Sequence, residues 1–83
     1  MFKARVEIKL KKGIADPEGK NILKALHLLG FEEVKDVKMA KVTEIFMDGD
    51  EKEVEERVKE MCNRLLTNPV IHDYTISIER RYR

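Results

Sequence analysis

From Phe2 to Leu10 the chain alternates: Phe2, Ala4, Val6, Ile8 and Leu10 fall on one parity, and Lys3, Arg5, Glu7 and Lys9 on the other. A period of two predicts a strand with one dry face and one wet face. Residues 12–16 read as a turn. Asp16, Pro17 and Glu18 then supply a cap, a proline at the first helical position and an acid in the first turn, so a helix starts there. Its buried stripe is Ile22, Ala25, Leu26 and Leu29, widened by Leu23 and Leu28. Gly30 is placed to end it in the left-handed region with Phe31 folding back, which gives a helix over about residues 17–29.

The next stretch, "FEEVKDVKMAKVTEIFMDGD", is β-rich but changes phase. Val37 and Met39 share one parity, Val42 and Phe46 the other, and Ile45 and Met47 return to the first. A strand with a single wet face cannot satisfy that pattern. Residues 34–48 are either two strands joined by a tight turn near Ala40 and Lys41, which fits slightly better, or one long bulged strand with apolar residues on both faces. Asp48, Gly49 and Asp50 form a turn, and Asp50 with Glu53 makes an aspartate version of the capping box. A second helix follows, with Val54, Val58, Met61 and Leu65 on its inner side. Glu53–Arg57, Glu55–Lys59 and Glu60–Arg64 are spaced as i,i+4 pairs on the outer side. Asn68 and Pro69 stop it. Val70, His72, Tyr74, Ile76 and Ile78 then alternate along a last strand that runs into the basic end.

Two one-stripe helices and strands with one wet face predict an α+β fold. The arrangement is a two-layer sandwich, β-α-β(β)-α-β, with both helices on one face of a mostly antiparallel sheet, ferredoxin-like in outline. At 83 residues the chain reads as a single domain over residues 1–83. A domain this small buries only about 60–65% of its unfolded surface, and such chains commonly gain stability from disulfides, metals or association. The single Cys62 excludes an internal disulfide, which leaves association. A formal net charge of +1 provides no global field to attract nucleic acid or an anionic membrane. No apolar run approaches the ~20 residues of a membrane span, and the N-terminus lacks the apolar core of a secretory signal. The expected location is cytoplasmic.

The stretch "GIADPEGK" over residues 13–20 has the glycine, lysine and helix start of a phosphate cradle. The cradle pattern requires four residues between its glycines and a Ser or Thr after the lysine; here there are five, and Asn21 follows. Asp16 and Glu18 would also repel a phosphate, so helix initiation is the better reading. Cys62 has no His or acid within a helical turn to generate a thiolate and reads as a small core or interface residue. His27 and His72 each lack a second ligand at metal spacing. The carboxylates Glu51, Glu53, Glu55, Glu56 and Glu60 read as a solvated helix face. Arg80, Arg81 and Arg83 form a short basic end balanced by that acidic helix. No nucleophile–base pair, cradle or metal set is evident, so no catalytic, cofactor-binding or metal-binding residue is expected in this chain.

Asp16 to Lys20 (D-P-E-G-K), Ala25 to Phe31 (A-L-H-x-L-G-F), Lys41 with Glu44, Met61 with Cys62, and Asn68 to Tyr74 (N-P-V-I-x-D-Y) together carry a likeness over nearly the whole chain. The sequence closely resembles the PurS family, the small subunit of phosphoribosylformylglycinamidine synthase. The resemblance implies a non-catalytic role in purine biosynthesis within a ligase complex. In that complex a glutaminase subunit releases ammonia, and a large synthetase subunit uses ATP and magnesium to make the amidine. The small subunit joins the two, assists ammonia transfer between them, and pairs into a homodimer or higher homo-oligomer. The residues expected to dock the larger subunits are Asp16, Pro17, Glu18, Gly19 and Lys20 together with Lys41 and Glu44, taken as positions whose identity the fold does not require. Those expected for self-association are Val42, Ile45, Phe46, Tyr74 and Ile76. The competing reading of each is a turn, cap or surface residue. The alternative function is a stand-alone regulatory module that binds a small effector at a dimer interface.

Overall fold

The computed structural model describes residues 1–81. Along the chain run strand β1 (Phe2–Leu10), helix α1 (Pro17–Leu28), strand β2 (Ala40–Met47), helix α2 (Glu51–Met61) continuing into a π-helical turn (Cys62–Leu66), and strand β3 (His72–Arg80). The three strands form one sheet in the order β2-β1-β3, with both pairings antiparallel. This is the α+β class with an antiparallel sheet that the patterning predicts.

β1 is central because its alternation is the strictest in the chain. Phe2, Ala4, Val6 and Ile8 are all buried, and their cross-strand partners extend the same face: Met47, Ile45 and Thr43 on β2, Ile78, Ile76 and Tyr74 on β3. On that face sit Val54 and Val58 of α2 and Cys62 of the π-helical turn, each fully buried. β1 is paired on both sides from Phe2 to Lys9, so its polar backbone there is satisfied without water.

Residues 34–48 hold one strand and not two. β2 runs from Ala40 to Met47 in continuous register with β1, from Lys9↔Ala40 to Phe2↔Met47. Val37 and Met39 lie in an irregular segment that precedes it. The phase change therefore marks an element boundary, and the second change reflects a strand with apolar residues on both faces. Ile45 and Met47 point to the core, and Val42 and Phe46 to the open side.

The end of the second helix also departs from the simple heptad reading. The Thr67 N–H donates to the Cys62 carbonyl at 2.9 Å, five residues back, and the Thr67 hydroxyl donates to the same oxygen at 2.9 Å. The wider turn moves the stripe on by one residue. Leu66 packs on the core, whereas Leu65 is 82% exposed.

The largest difference is α1. The expected sandwich has both helices on the sheet, but only α2 lies there, and α1 hardly touches the strands. The chain measures 49 × 31 × 14 Å with a radius of gyration of 16.5 Å, against about 12 Å for a compact domain of this length. Gly19 is the only fully buried residue of α1. Ile22, Leu28, Leu29 and Phe31 are exposed, Leu29 by 74%. α1 is nevertheless well closed at its ends. Gly30, with φ +100°, donates to the His27 carbonyl while Phe31 N–H donates to Leu26, a Schellman ending.

Truncation at the π turn tests the one-residue shift. Leu66→Ala should cost about 2 kcal/mol or more in urea unfolding, and Leu65→Ala should stay within about 0.5 kcal/mol. Equal losses would show that the stripe runs through Leu65 instead.

Candidate functional site

The D-P-E-G-K turn is the point where helix, loop and sheet meet. Asp16 is the N-cap of α1: one carboxylate oxygen accepts from Gly19 N–H at 3.0 Å, and the other accepts from Met39 N–H at 2.9 Å. One side chain thus starts the helix and ties it to the residue that precedes β2. The Met39 N–H chiefly, with the Gly19 N–H second, holds the Asp16 carboxyl below the ordinary aspartate pKa. Pro17 stands at the first helical position, and Glu18 adds negative charge to the first turn. Gly19 is required by space, because a Cβ there would run into the Val37 carbonyl oxygen and the Asp16 carboxylate. Lys20 donates the first helical hydrogen bond to Asp16, and its side chain is exposed.

These contacts correct part of the sequence reading. The fold itself requires Asp16 and Gly19, so their identity needs no partner to explain it. Glu18 and Lys20 remain exposed and free of that constraint. Lys41 shares a cleft with Asp16 and Glu18, which Leu10, Met39 and His72 also line. Glu44 lies on the opposite sheet face, where Lys3 bridges it at 3.3 Å and Glu79 at 3.8 Å. The docking set is therefore one cluster plus a separate ion-paired residue.

The set read for self-association divides in the same way. Ile45, Tyr74 and Ile76 are half-buried on the face that α2 covers, and the Tyr74 hydroxyl donates to Asn63 Oδ1 at 3.3 Å. Val42 and Phe46 stand on the open face, 42% and 51% exposed, with the Arg81 guanidinium 5.5 Å from the Phe46 ring. They do not form one continuous apolar surface. Sequence reasoning missed the apolar stripe of α1 as a surface, because amphipathic periodicity looks the same whether its cover comes from within the chain or from outside.

The other chemistry-bearing residues are engaged structurally. Cys62 is fully buried, and burial pushes its thiol pKa up, away from nucleophile behaviour. His27 Nε2 lies 2.8 Å from the Val34 carbonyl, and His72 Nδ1 accepts from Asn68 N–H at 2.9 Å. The acidic face of α2 carries Glu55–Lys59 and Glu60–Arg64 pairs, with Arg57 turned to Glu60. Among the described residues no group of three or more His, Cys, Asp or Glu side chains could hold a metal ion, and no helix is long and apolar enough to cross a membrane. Of the terminal arginines, Arg83 lies outside the described residues.

A three-stranded antiparallel sheet with one seated helix and one bare helix defines a small α+β subunit whose apolar surface is only partly covered within the chain. Residues 3–80 match the family model PurS, described as phosphoribosylformylglycinamidine (FGAM) synthase. The chain belongs to the PurS family, the subunit family of phosphoribosylformylglycinamidine synthase in purine biosynthesis. It is 54% identical to the PurS subunit of Methanocaldococcus jannaschii over 96% of this chain and 98% of the relative. The crystal structure of M. jannaschii PurS, one of the subunits of formylglycinamide ribonucleotide amidotransferase in the purine biosynthetic pathway, superposes with a TM-score of 0.91. That match is at 52% identity and covers 99% of this chain and 100% of the other. A chain from the structure of PurLQS of Thermotoga maritima matches at TM-score 0.83 and 25% identity, over 94% and 96% of the two chains. The stand-alone effector module is not favoured by these matches.

The double role of Asp16 has a pH signature. Because its folded pKa lies below the unfolded value of about 3.9, its stabilisation is complete above that value and fades as pH falls through the lower folded pKa. Asp16→Ala should therefore melt below the wild type at neutral pH, and the gap should close in acid. A gap that persists unchanged at low pH would assign the loss to something other than the carboxylate.

Proposed function

We propose that this chain joins a glutaminase subunit to the large ATP-dependent synthetase subunit of phosphoribosylformylglycinamidine synthase and helps ammonia cross between them. Ammonia released into water at neutral pH is protonated and lost as a nucleophile, so a contact that shields its route serves the reaction without a catalytic side chain. The chain binds no cofactor of its own; ATP and magnesium are used by the synthetase subunit. It acts in the cytoplasm and contacts neither nucleic acid nor membrane.

The observation that carries this reading is the bare apolar stripe of α1. Ile22 and Leu28 on α1, with Leu29 and Phe31 at its C-terminal end, stand in water on an element whose two ends are capped. Exposed apolar side chains on an ordered, extended element are the usual mark of an interface. A second copy of this chain accounts for the stripe, as a homodimer or higher homo-oligomer in which α1 seats against its partner and completes the core that the single chain lacks. Val42 and Phe46 offer a further apolar contact on the open sheet face. The larger subunits then dock around the Asp16–Lys20 turn and Lys41. The PurLQS structure that contains a similar chain supports the assembly role.

Reconstitution tests the function. Glutamine-dependent amidine formation by the glutaminase and synthetase subunits should require this chain, and equal rates with and without it would refute the proposal. The oligomer has its own test: the Ile22→Glu and Leu29→Glu double variant should sediment as a monomer while keeping its far-ultraviolet helix signal. An unchanged sedimentation mass would remove α1 from the interface.

A further inference from the structure

The β1–α1 connection carries a second feature that helix initiation does not use. Lys11 to Ile14 form a tight turn closed by Ile14 N–H donating to the Lys11 carbonyl at 3.1 Å. Gly13 has φ +88° while Lys12 has a negative φ, which makes the turn type II. The turn faces the segment that enters β2, and between them opens a cleft of about 610 Å³. Lys9, Lys11, Lys12 and Lys38 line it together with Ile14 and Met39, which are 39% and 36% exposed.

Charge is concentrated there in a chain whose formal net charge is only +1. One carboxylate, Asp16, lines the cleft, and both of its oxygens already accept backbone N–H groups. Lys9 pairs with Glu7 at 3.1 Å and Lys11 with Asp73 at 3.0 Å. Among the described residues Lys12 and Lys38 have no carboxylate partner. Two unpaired ammonium groups in the same lining as the exposed Ile14 and Met39 complement a polypeptide in which carboxylates flank an apolar side chain.

We infer that the cleft between the Lys11–Ile14 turn and Met39 receives an acidic, apolar-centred segment of one of the larger subunits of the synthase. This inference rests on the assembly reading above. It adds to the docking contact at the α1 start an adjoining one at the Lys11–Ile14 turn. Asp16 and Met39, tied by a hydrogen bond at 2.9 Å, both line the cleft, which links it to the start of α1.

The test uses the full chain and the purified glutaminase and synthetase subunits. Capture of the wild-type chain by its partners should weaken steeply as salt rises past about 0.1 M. Lys12→Glu with Lys38→Glu should weaken capture by roughly tenfold or more and leave the sedimentation mass of the isolated chain unchanged. Equal capture of variant and wild type would overturn the cleft proposal while leaving the assembly role intact. No capture of the wild type at any salt would overturn both. A changed oligomer mass in the variant would assign the cleft to a second copy of this chain, and would overturn the proposal as well. A rise in the melting temperature of the wild type with inorganic pyrophosphate, alongside equal capture of the variant, would assign the cleft to a small anion instead.

Discussion

Everything in this structure depends on the dry face of β1. Phe2, Ala4, Val6 and Ile8 are almost completely removed from water, and each faces neighbours that lie in register on both sides. The strand is central because only a strand paired at both edges can lose all its solvent without orphaning backbone groups. α2 and the π-helical turn close that face with Val54, Val58 and Cys62, three residues one helical turn apart. The core is therefore short and narrow, with seven buried apolar side chains in one cluster. Burying a Val or Ile contributes about 1.5–3 kcal/mol each, and a cluster of this size leaves a thin margin after chain entropy is counted.

A core this small covers the sheet with a single helix, and that fact governs what α1 can be. α1 has the same amphipathic design as α2, yet its stripe meets water. Its own chain covers only part of it: Leu23 and Leu26 are half-buried, and the segment from Phe31 to Met39 folds back along it. The result is a chain 49 Å long whose helix is rigidly capped at both ends but packed on one side only. Such an element suits a subunit, because a helix already ordered gives up little further backbone entropy when a partner covers it. Family membership and geometry agree on this point. The relatives are subunits of one synthase, and the fold leaves its unfinished surface outward.

Asp16 connects these two halves. Its carboxylate caps α1 and holds Met39, so the direction of the projecting helix is linked to the entry of β2 by a single side chain. Gly19 lets the Val37 carbonyl approach the first turn closely enough to keep the two segments together. The lysine-lined cleft opens at this junction, with Asp16 and Met39 in its lining. The same short turn thus sets the helix direction and frames the most positively charged concavity described.

Much of this was legible in the chain. The strict alternation of β1 and β3, the Asp16-Pro17 and Asp50 helix starts, the Gly30 ending and the buried Cys62 all follow from local periodicity and capping, because those signals are complete within a few residues. The antiparallel α+β class followed from them, and the likeness in D-P-E-G-K and N-P-V-I-x-D-Y pointed to the family. Tertiary structure alone decided the rest. It placed Val42 and Phe46 on one sheet face and Ile45, Tyr74 and Ile76 on the other, since a face belongs to a strand only once its partners are in register. It exchanged Leu65 for Leu66 at the π-helical turn, which no residue type announces. It left α1 uncovered because an apolar stripe encodes the need for a cover, while which chain provides that cover is settled by how much surface the sheet has left.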